Sequence, residues 1–192
     1  MKVCVFAASS SRIDGAFAVA ASELGYLLAM KGMEVIFGGG GIGLMGKLAD
    51  AVLANNGKIT GVIPAFMQDE GWGHKGLPEM IVTSDMGERK KIMIGSANAI
   101  VALPGGVGTL EELTEAITLK QLGLFRGPVI IMNTLGFYNH LLEFLSQMIA
   151  ESFLRKEHGT IWTVVNTPAE AINAITGYKG WHDDPRTIAK IY

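Results

Sequence analysis

The feature that most constrains the fold is the regular alternation of short apolar runs with longer segments of helical periodicity. Seven runs rich in β-branched residues are followed by glycine or small polar residues, and six other segments carry apolar residues at helical spacing. The predicted strands cover residues 2–7, 34–37, 58–63, 80–83, 99–103, 129–132 and 162–165, and the predicted helices cover residues 16–30, 44–54, 86–96, 110–121, 138–151 and 168–176. This alternation predicts an α/β fold.

The strand runs lack strict apolar–polar alternation, which indicates that they are buried on both faces. We therefore expect a Rossmann-like, doubly wound parallel sheet with helices on both faces. No linker or repeat divides the chain, so we expect a single domain over residues 1–176, followed by a C-terminal tail over residues 177–192. The long irregular stretch at residues 64–79 is a candidate lid or dimer arm, because loops of that length are often functional.

Composition excludes several classes of protein. With 49% hydrophobic residues and a formal charge of −2, the chain is neither disordered nor basic enough to bind nucleic acid or anionic lipid over a broad surface. Apolar runs fall short of a membrane span, and the one cysteine, Cys4, lies in an apolar run and is expected to be buried. We expect a cytoplasmic protein with no nucleic-acid or membrane partner.

Two glycine-rich segments follow predicted strands, and the first is GGGGIGLMG at residues 38–46. It contains the dinucleotide pattern G-x-G-x-x-G twice, yet no acidic residue lies between Asp50 and Asp69 to hold a ribose hydroxyl, which disfavours NAD. Two interpretations stay open. Either the glycines allow close backbone packing in a tight turn, or their amides, those of Gly40 and Gly41 among them, cradle a phosphate.

The second segment, PGGVGTLEE at residues 104–112, joins a predicted strand to a predicted helix. Its glycines allow close approach of a ligand, and the helix N-terminus favours a phosphate. The spacing of Thr109 and Glu112 is that of a capping box, which is the interpretation that spacing alone favours. The alternative is that Glu112, one helical turn from a bound phosphate, acts on the attached sugar.

A run of three cations, Arg89, Lys90 and Lys91, opens another predicted helix. The default interpretation is an exposed basic face. Cations near a helix N-terminus oppose the helix dipole, however, so their position there indicates an anionic neighbour. The sheet topology permits Arg89 and Glu112 to face one crevice.

These two motifs together resemble those of the LONELY GUY (LOG) family. Residues 104–112 resemble its P-G-G-x-G-T-x-x-E motif, MGERK at residues 86–90 resembles its M-H-x-R-K motif, and the resemblance extends over about residues 1–176. It implies a usually dimeric, Rossmann-like hydrolase that cleaves the N-glycosidic bond of cytokinin riboside 5′-monophosphates, often also AMP, and releases the base and ribose 5-phosphate. Many members are labelled lysine decarboxylases, but that reaction ordinarily needs pyridoxal phosphate on a lysine, and no motif here marks one.

The resemblance also implies roles for individual residues. Arg89 and Glu112 become the catalytic pair, and the nucleotide contacts fall on Lys90, Thr118 and a loop comprising Gly105, Gly106, Val107, Gly108, Thr109, Leu110 and Glu111. Gly87 replaces the motif histidine, which predicts a different substrate preference or rate.

We expect a nucleoside monophosphate as ligand, no cofactor, no metal and a homodimer. The four histidines show no ligand spacing. The alternative is a nucleotide-binding or carrier protein of the same fold that does not hydrolyse its ligand.

Overall fold

A computed structural model describes residues 1–189, and residues 190–192, the end of the predicted tail, lie outside the described residues. Seven parallel strands form one sheet in the order β4-β3-β2-β1-β5-β6-β7. Their bounds are β1 Lys2–Phe6, β2 Glu34–Phe37, β3 Ile59–Pro64, β4 Met80–Thr83, β5 Ala99–Ala102, β6 Val129–Met132 and β7 Trp162–Val165. Every predicted strand is present to within one residue at either end, which confirms the α/β class.

All six predicted helices are present, and two short α-helices and two 3-10 helices, Thr134–Gly136 and Lys156–Thr160, were not predicted. The bounds are α1 Gly15–Met30, α2 Gly43–Ala54, α3 Ala65–Asp69, α4 Met86–Gly95, α5 Val107–Gln121, α6 Asn139–Ala150, α7 Pro168–Thr176 and α8 Pro185–Ala189. The two additional α-helices are α3, within the segment expected to be irregular, and α8, within the predicted tail. At five residues each, they are too short for a periodic pattern to show.

The core has two layers, one on each face of the sheet. Along β1, Val3 and Val5 pack with α1, α2 and α7, whereas Cys4 and Phe6 pack on the opposite face with α4, α5 and α6. These four side chains are essentially inaccessible to solvent. Burial on both faces explains the missing alternation in the sequence and confirms the doubly wound arrangement and the buried cysteine.

The strand order reverses at β1, because β2 pairs on one side of it and β5 on the other. In open α/β sheets the connections that leave the strands diverge at such a point and create a crevice for a ligand. The connection from β5 to α5 starts there, and the Leu103 amide donates to the Phe6 carbonyl over 2.9 Å. The fold therefore indicates the N-terminus of α5 as a place where a ligand can bind.

The segment after β3 is hydrogen-bonded to the first glycine-rich segment, residues 38–46, which we call the first glycine loop. Gly73 forms an antiparallel bridge with Gly40, and the His74 amide donates to the Gly39 carbonyl over 2.8 Å. The His74 ring also contacts Asp50, with 2.9 Å between Nε2 and Oδ1.

No helix within the described residues is long and apolar enough to cross a membrane.

Candidate active site

The centre of the site is a buried ion pair between two helices. Arg89, on α4, donates from its terminal nitrogen to Glu112 Oε1 on α5 over 2.5 Å, and from Nε to the Val62 carbonyl over 3.0 Å. Each of the paired side chains belongs to a residue only 6% exposed. The expectation of an exposed basic face is therefore wrong for Arg89, although Lys91 is exposed. The structure does bring Arg89 and Glu112 into direct contact.

Opposing influences set the charge of Glu112. Burial raises the pKa of its carboxyl group, while the neighbouring Arg89 guanidinium lowers it by stabilising the carboxylate. The result is a carboxyl group that holds its proton more strongly than an exposed glutamate does. A carboxyl group with a raised pKa is a better proton acceptor than an exposed glutamate.

Tyr138 is a neighbour of Glu112 that sequence reasoning missed. Burial, and secondarily the charge of Glu112, raise the pKa of its phenol. Its hydroxyl donates to the Leu103 carbonyl over 2.8 Å and so fixes the chain where it leaves β5 toward α5. The sequence shows only a tyrosine at the start of an apolar helical segment, so nothing there indicates this long-range contact.

The N-terminus of α5 is open to a ligand. Its N-cap residue, Gly106, is exposed and has extended backbone angles, and no side chain in the described structure caps the helix. The first helical hydrogen bond runs from the Leu110 amide to the Gly106 carbonyl, so the amides of Val107, Gly108 and Thr109 have no acceptor within the helix. Uncapped first-turn amides favour an anion such as phosphate.

The predicted capping box of Thr109 and Glu112 is wrong. Because Gly106 adopts an extended conformation, α5 begins at Val107 and Thr109 already lies within its first turn. Thr109 is buried, with its hydroxyl against the Cα of Gly105, where a β-carbon would overlap it. The Glu112 side chain is instead directed to Arg89.

Lys90 lies at the rim of this site between two carboxylates. Its ammonium group contacts Glu111 and approaches Glu115 Oε2 to 2.7 Å. The hydrogen bond with Glu111, and then the one with Glu115, raise the pKa of Lys90. The structure therefore places Lys90 beside the loop, with its charge already compensated by α5.

Thr118, the last of the expected nucleotide contacts, lies farther along α5. Its hydroxyl donates to the Thr114 carbonyl over 2.9 Å. It follows Glu112 by six residues, which is about 9 Å along a helix axis. The structure does not bring Thr118 next to the ion pair within one chain.

The first glycine loop supports the site chiefly through packing. A β-carbon at Gly38 would overlap the guanidinium group of Arg89, so this glycine creates the space in which Arg89 lies. The Gly41 amide donates to the Trp72 carbonyl over 3.0 Å and is not free for a phosphate, which corrects that expectation. Gly40 is buried against Met45. The sequence indicated the glycine-rich segment but not the role of Gly38, which depends on a side chain 51 positions away.

Known proteins resemble this chain in sequence and in fold. A profile of the family described as "Possible lysine decarboxylase" matches residues 45–175. The chain is 36% identical over 182 residues to the cytokinin riboside 5′-monophosphate phosphoribohydrolase LOG5 of Arabidopsis thaliana, covering 95% of this chain and 80% of that protein. It is 37% identical over 182 residues to the probable cytokinin riboside 5′-monophosphate phosphoribohydrolase LOGL2 of Oryza sativa subsp. japonica, covering 95% and 75%.

Among solved structures, the molybdenum cofactor carrier protein of Chlamydomonas reinhardtii has the same fold. The TM-score is 0.71 at 24% identity, and the match covers 92% of this chain and 96% of that one. At that identity the likeness concerns the fold alone. On the sequence relatives and the family profile, the chain belongs to the LOG family, the group whose profile carries the lysine decarboxylase description.

Proposed function

We propose that this protein hydrolyses the N-glycosidic bond of a purine nucleoside 5′-monophosphate, a cytokinin riboside 5′-monophosphate, AMP or both. The products are the free base and ribose 5-phosphate. The observation that carries the proposal is the buried Arg89–Glu112 pair beside the uncapped N-terminus of α5. The activity named for its sequence relatives supports it.

The N-terminus of α5 holds the 5′-phosphate in this proposal. The amides of Val107, Gly108 and Thr109 point out of the first turn, and Gly105 and Gly106 let the ligand approach the backbone. Glu112 follows these amides by three to five residues, about 5–8 Å along the axis. The ribose lies between phosphate and base, so a phosphate held at the first turn brings C1′ toward the carboxylate.

Cleavage of the C–N bond leaves positive charge on the ribose, and a carboxylate beside C1′ stabilises that charge. Glu112 supplies it and accepts a proton from the water whose oxygen bonds to C1′. The base departs with the electron pair of the broken bond and takes up a proton from solvent, and Glu112 returns its own proton to solvent, which restores the carboxylate. The hydrogen bonds of Arg89 to Glu112 and to the Val62 carbonyl support a positioning role, and the guanidinium charge opposes the effect of burial by favouring the carboxylate form.

The remaining proposed contacts of the nucleotide are Lys90, Leu110, Glu111, Thr118 and the Gly40 amide. Lys90 and Glu111 form an ion pair at the rim, and Leu110 is partly exposed beside them. Thr118 shares a helical stripe with Glu111 and Glu115, so an extended ligand lying along α5 would reach it.

The residues at this site do not fit the pyridoxal phosphate that decarboxylation would require. A Schiff base needs a neutral lysine beside the phosphate cradle. The lysine at the rim, Lys90, contacts two glutamates, and those contacts raise its pKa. We therefore assign no decarboxylase step to the site.

A homodimer is part of the proposal. Val107, Leu122 and Leu124 are 83%, 43% and 73% exposed at the ends of α5. A groove of about 850 Å³, with apolar lining from Ile94, Leu119 and other side chains, runs between α4 and α5. Burial of this face in a second copy would remove apolar surface from water. Light scattering after size-exclusion chromatography tests it, with Leu124→Asp expected to shift the mass toward the monomer.

The cytoplasm is the proposed location. The substrates are nucleotides, and a single free, buried cysteine suits a reducing compartment.

The test is a product assay with AMP and N6-isopentenyl-AMP. We expect equimolar release of free base and ribose 5-phosphate, with the oxygen of ¹⁸O-labelled water in the sugar. Adenosine, which lacks the phosphate, is the control and is expected to react far more slowly. Tight binding of both nucleotides without release of base would overturn the hydrolase assignment and support the carrier alternative.

A further inference from the structure

Lys120, in the last turn of α5, is a buried cation outside the proposed active site. It is 2% exposed, and its ammonium nitrogen lies 4.7 Å from the centre of the Tyr178 ring. Among the described residues, no carboxylate or carbonyl accepts a hydrogen bond from it. An aromatic face attracts a cation but offers no oxygen to the three N–H donors of the ammonium group. Such a group is costly to bury unless an anion accompanies it.

The cavity beside Lys120 has an excess of positive charge. Its volume is about 470 Å³, and Arg126 and Lys179 line it together with Lys120, against one carboxylate, that of Asp183. Arg126 and Lys179 are exposed at the rim, whereas Lys120 is buried. Cavities of roughly 300–1,000 Å³ are typical of small-molecule sites.

The C-terminal segment forms one wall of this cavity and is itself fixed. The indole nitrogen of Trp181 donates to Thr160 Oγ1 over 2.7 Å. Pro185 packs against Gly123, whose φ of +73° favours glycine. The cavity is thus enclosed by α5, the connection that follows it and the anchored tail. This gives the tail, which shows no regular sequence pattern, a structural role.

We propose that this cavity is a second ligand site, separate from the Arg89–Glu112 pair, in which the Lys120 ammonium group binds a small oxyanion, a carboxylate or a phosphate group. Lys120 follows Glu112 by eight residues, about 12 Å along the helix axis, so the two sites do not share side chains. Trp181 and Phe125 supply apolar walls for the body of the ligand, and Arg126 and Lys179 attract it electrostatically at the entrance. Burial lowers the pKa of Lys120 to about 8, so the arrival of an anion strengthens the charged form of the amine.

The experiment follows the tryptophan fluorescence of the whole protein at pH 7 in an imidazole chloride buffer. Inorganic phosphate and sodium acetate are titrated in separate arms, with sodium chloride keeping the ionic strength constant. Trp181→Phe identifies the part of the signal that arises in the cavity. A saturable change in the phosphate arm, the acetate arm or both supports the proposal and shows which oxyanion fits.

Lys120→Met is the diagnostic variant, and Lys58→Met, which changes a lysine with an 83% exposed side chain, is the matched control. We expect at least tenfold weaker binding in Lys120→Met and affinity within twofold of the wild type in Lys58→Met. Arg126→Gln is expected to weaken binding severalfold and serves as the test if Lys120→Met does not fold. Equal binding by Lys120→Met and the wild type, or a change that sodium chloride reproduces without saturation, would overturn the proposal.

Discussion

The two ends of helix α5 each border a buried cation, and the two cations have opposite surroundings. At the N-terminal end, Arg89 lies 2.5 Å from a Glu112 oxygen and also donates to a backbone carbonyl. At the C-terminal end, Lys120 faces an aromatic ring at 4.7 Å and has no carboxylate partner in the part of the chain that is described. The first cation is part of an ion pair, whereas the second contacts only an aromatic ring among the described residues. Burial alone therefore does not indicate the role of a charged residue; the groups that contact it must be known as well.

Replacing each cation by methionine should therefore change the free energy of unfolding in opposite directions, a decrease for Arg89→Met and an increase for Lys120→Met. Arg89→Met should have the largest effect. It leaves the Glu112 carboxylate buried without its partner. We expect the free energy of unfolding to fall by about 3–5 kcal/mol, the usual cost of breaking a buried pair. Urea denaturation measures it. Unchanged stability would contradict the view that the pair is electrostatically coupled.

Gly38→Ala should disturb the same pair without removing a charge. The added methyl group overlaps the Arg89 guanidinium group, and such overpacking costs about 1–3 kcal/mol. Turnover should fall at least about tenfold because Glu112 loses its correct position. Gly15→Ala, which has no neighbour within 4 Å of the new carbon, is the matched control. Equal behaviour of the two variants would show that the space at Gly38 is not needed.

Lys120→Met should stabilise the protein in a buffer without oxyanions. Methionine has a similar volume and needs no acceptor, and replacing buried charge by apolar groups is often neutral or stabilising. We expect a gain of about 1 kcal/mol in the free energy of unfolding, whereas Lys58→Met should stay within about 0.5 kcal/mol of the wild type. A clear loss of stability in Lys120→Met would mean that Lys120 is already paired.

The smallest effect should be the change with pH in the difference between the free energies of unfolding of Lys120→Met and the wild type. The folded-state pKa of Lys120, about 8, lies below the unfolded value of 10.5. The unfolded chain therefore binds more protons between these values, and the stability of the wild type rises with pH relative to Lys120→Met. From pH 7 to 9 the gap between the two proteins should narrow by less than about 1 kcal/mol. A gap that widens over this range would contradict the direction of the shift.

The sequence was sufficient for the fold because the five inner strands, β1, β2, β3, β5 and β6, are buried on both faces, whereas only the edge strands β4 and β7 are partly exposed. The run at residues 99–103 is apolar throughout and is followed by Pro104 and two glycines, and the structure has β5 at Ala99–Ala102. The two glycine loops were likewise visible as strand-to-helix connections. These patterns lie within short stretches of sequence, so they can be recognised without knowledge of tertiary contacts.

The site was only partly predictable because its decisive contacts join distant segments. Arg89 stood in a run of cations that resembles a solvated face, and only the docking of α4 beside β3 buries it. The spacing of Thr109 and Glu112 matched a capping box, but the extended backbone of Gly106 starts α5 earlier and frees Glu112 for Arg89. Lys120 gave no signal at all, since its burial depends on Tyr178 in the tail.

The most direct test of the central claim is the turnover of Glu112→Gln with AMP and N6-isopentenyl-AMP, measured where circular dichroism shows that the variant is folded. Glutamine still accepts a hydrogen bond from Arg89 but cannot supply a carboxylate to the ribose. Because Arg89 then lacks its charge partner, we expect a lower melting temperature. At a permissive temperature, kcat should fall about 100-fold or more, with nucleotide affinity retained. Release of base and ribose 5-phosphate at the wild-type rate would contradict the assignment of Glu112.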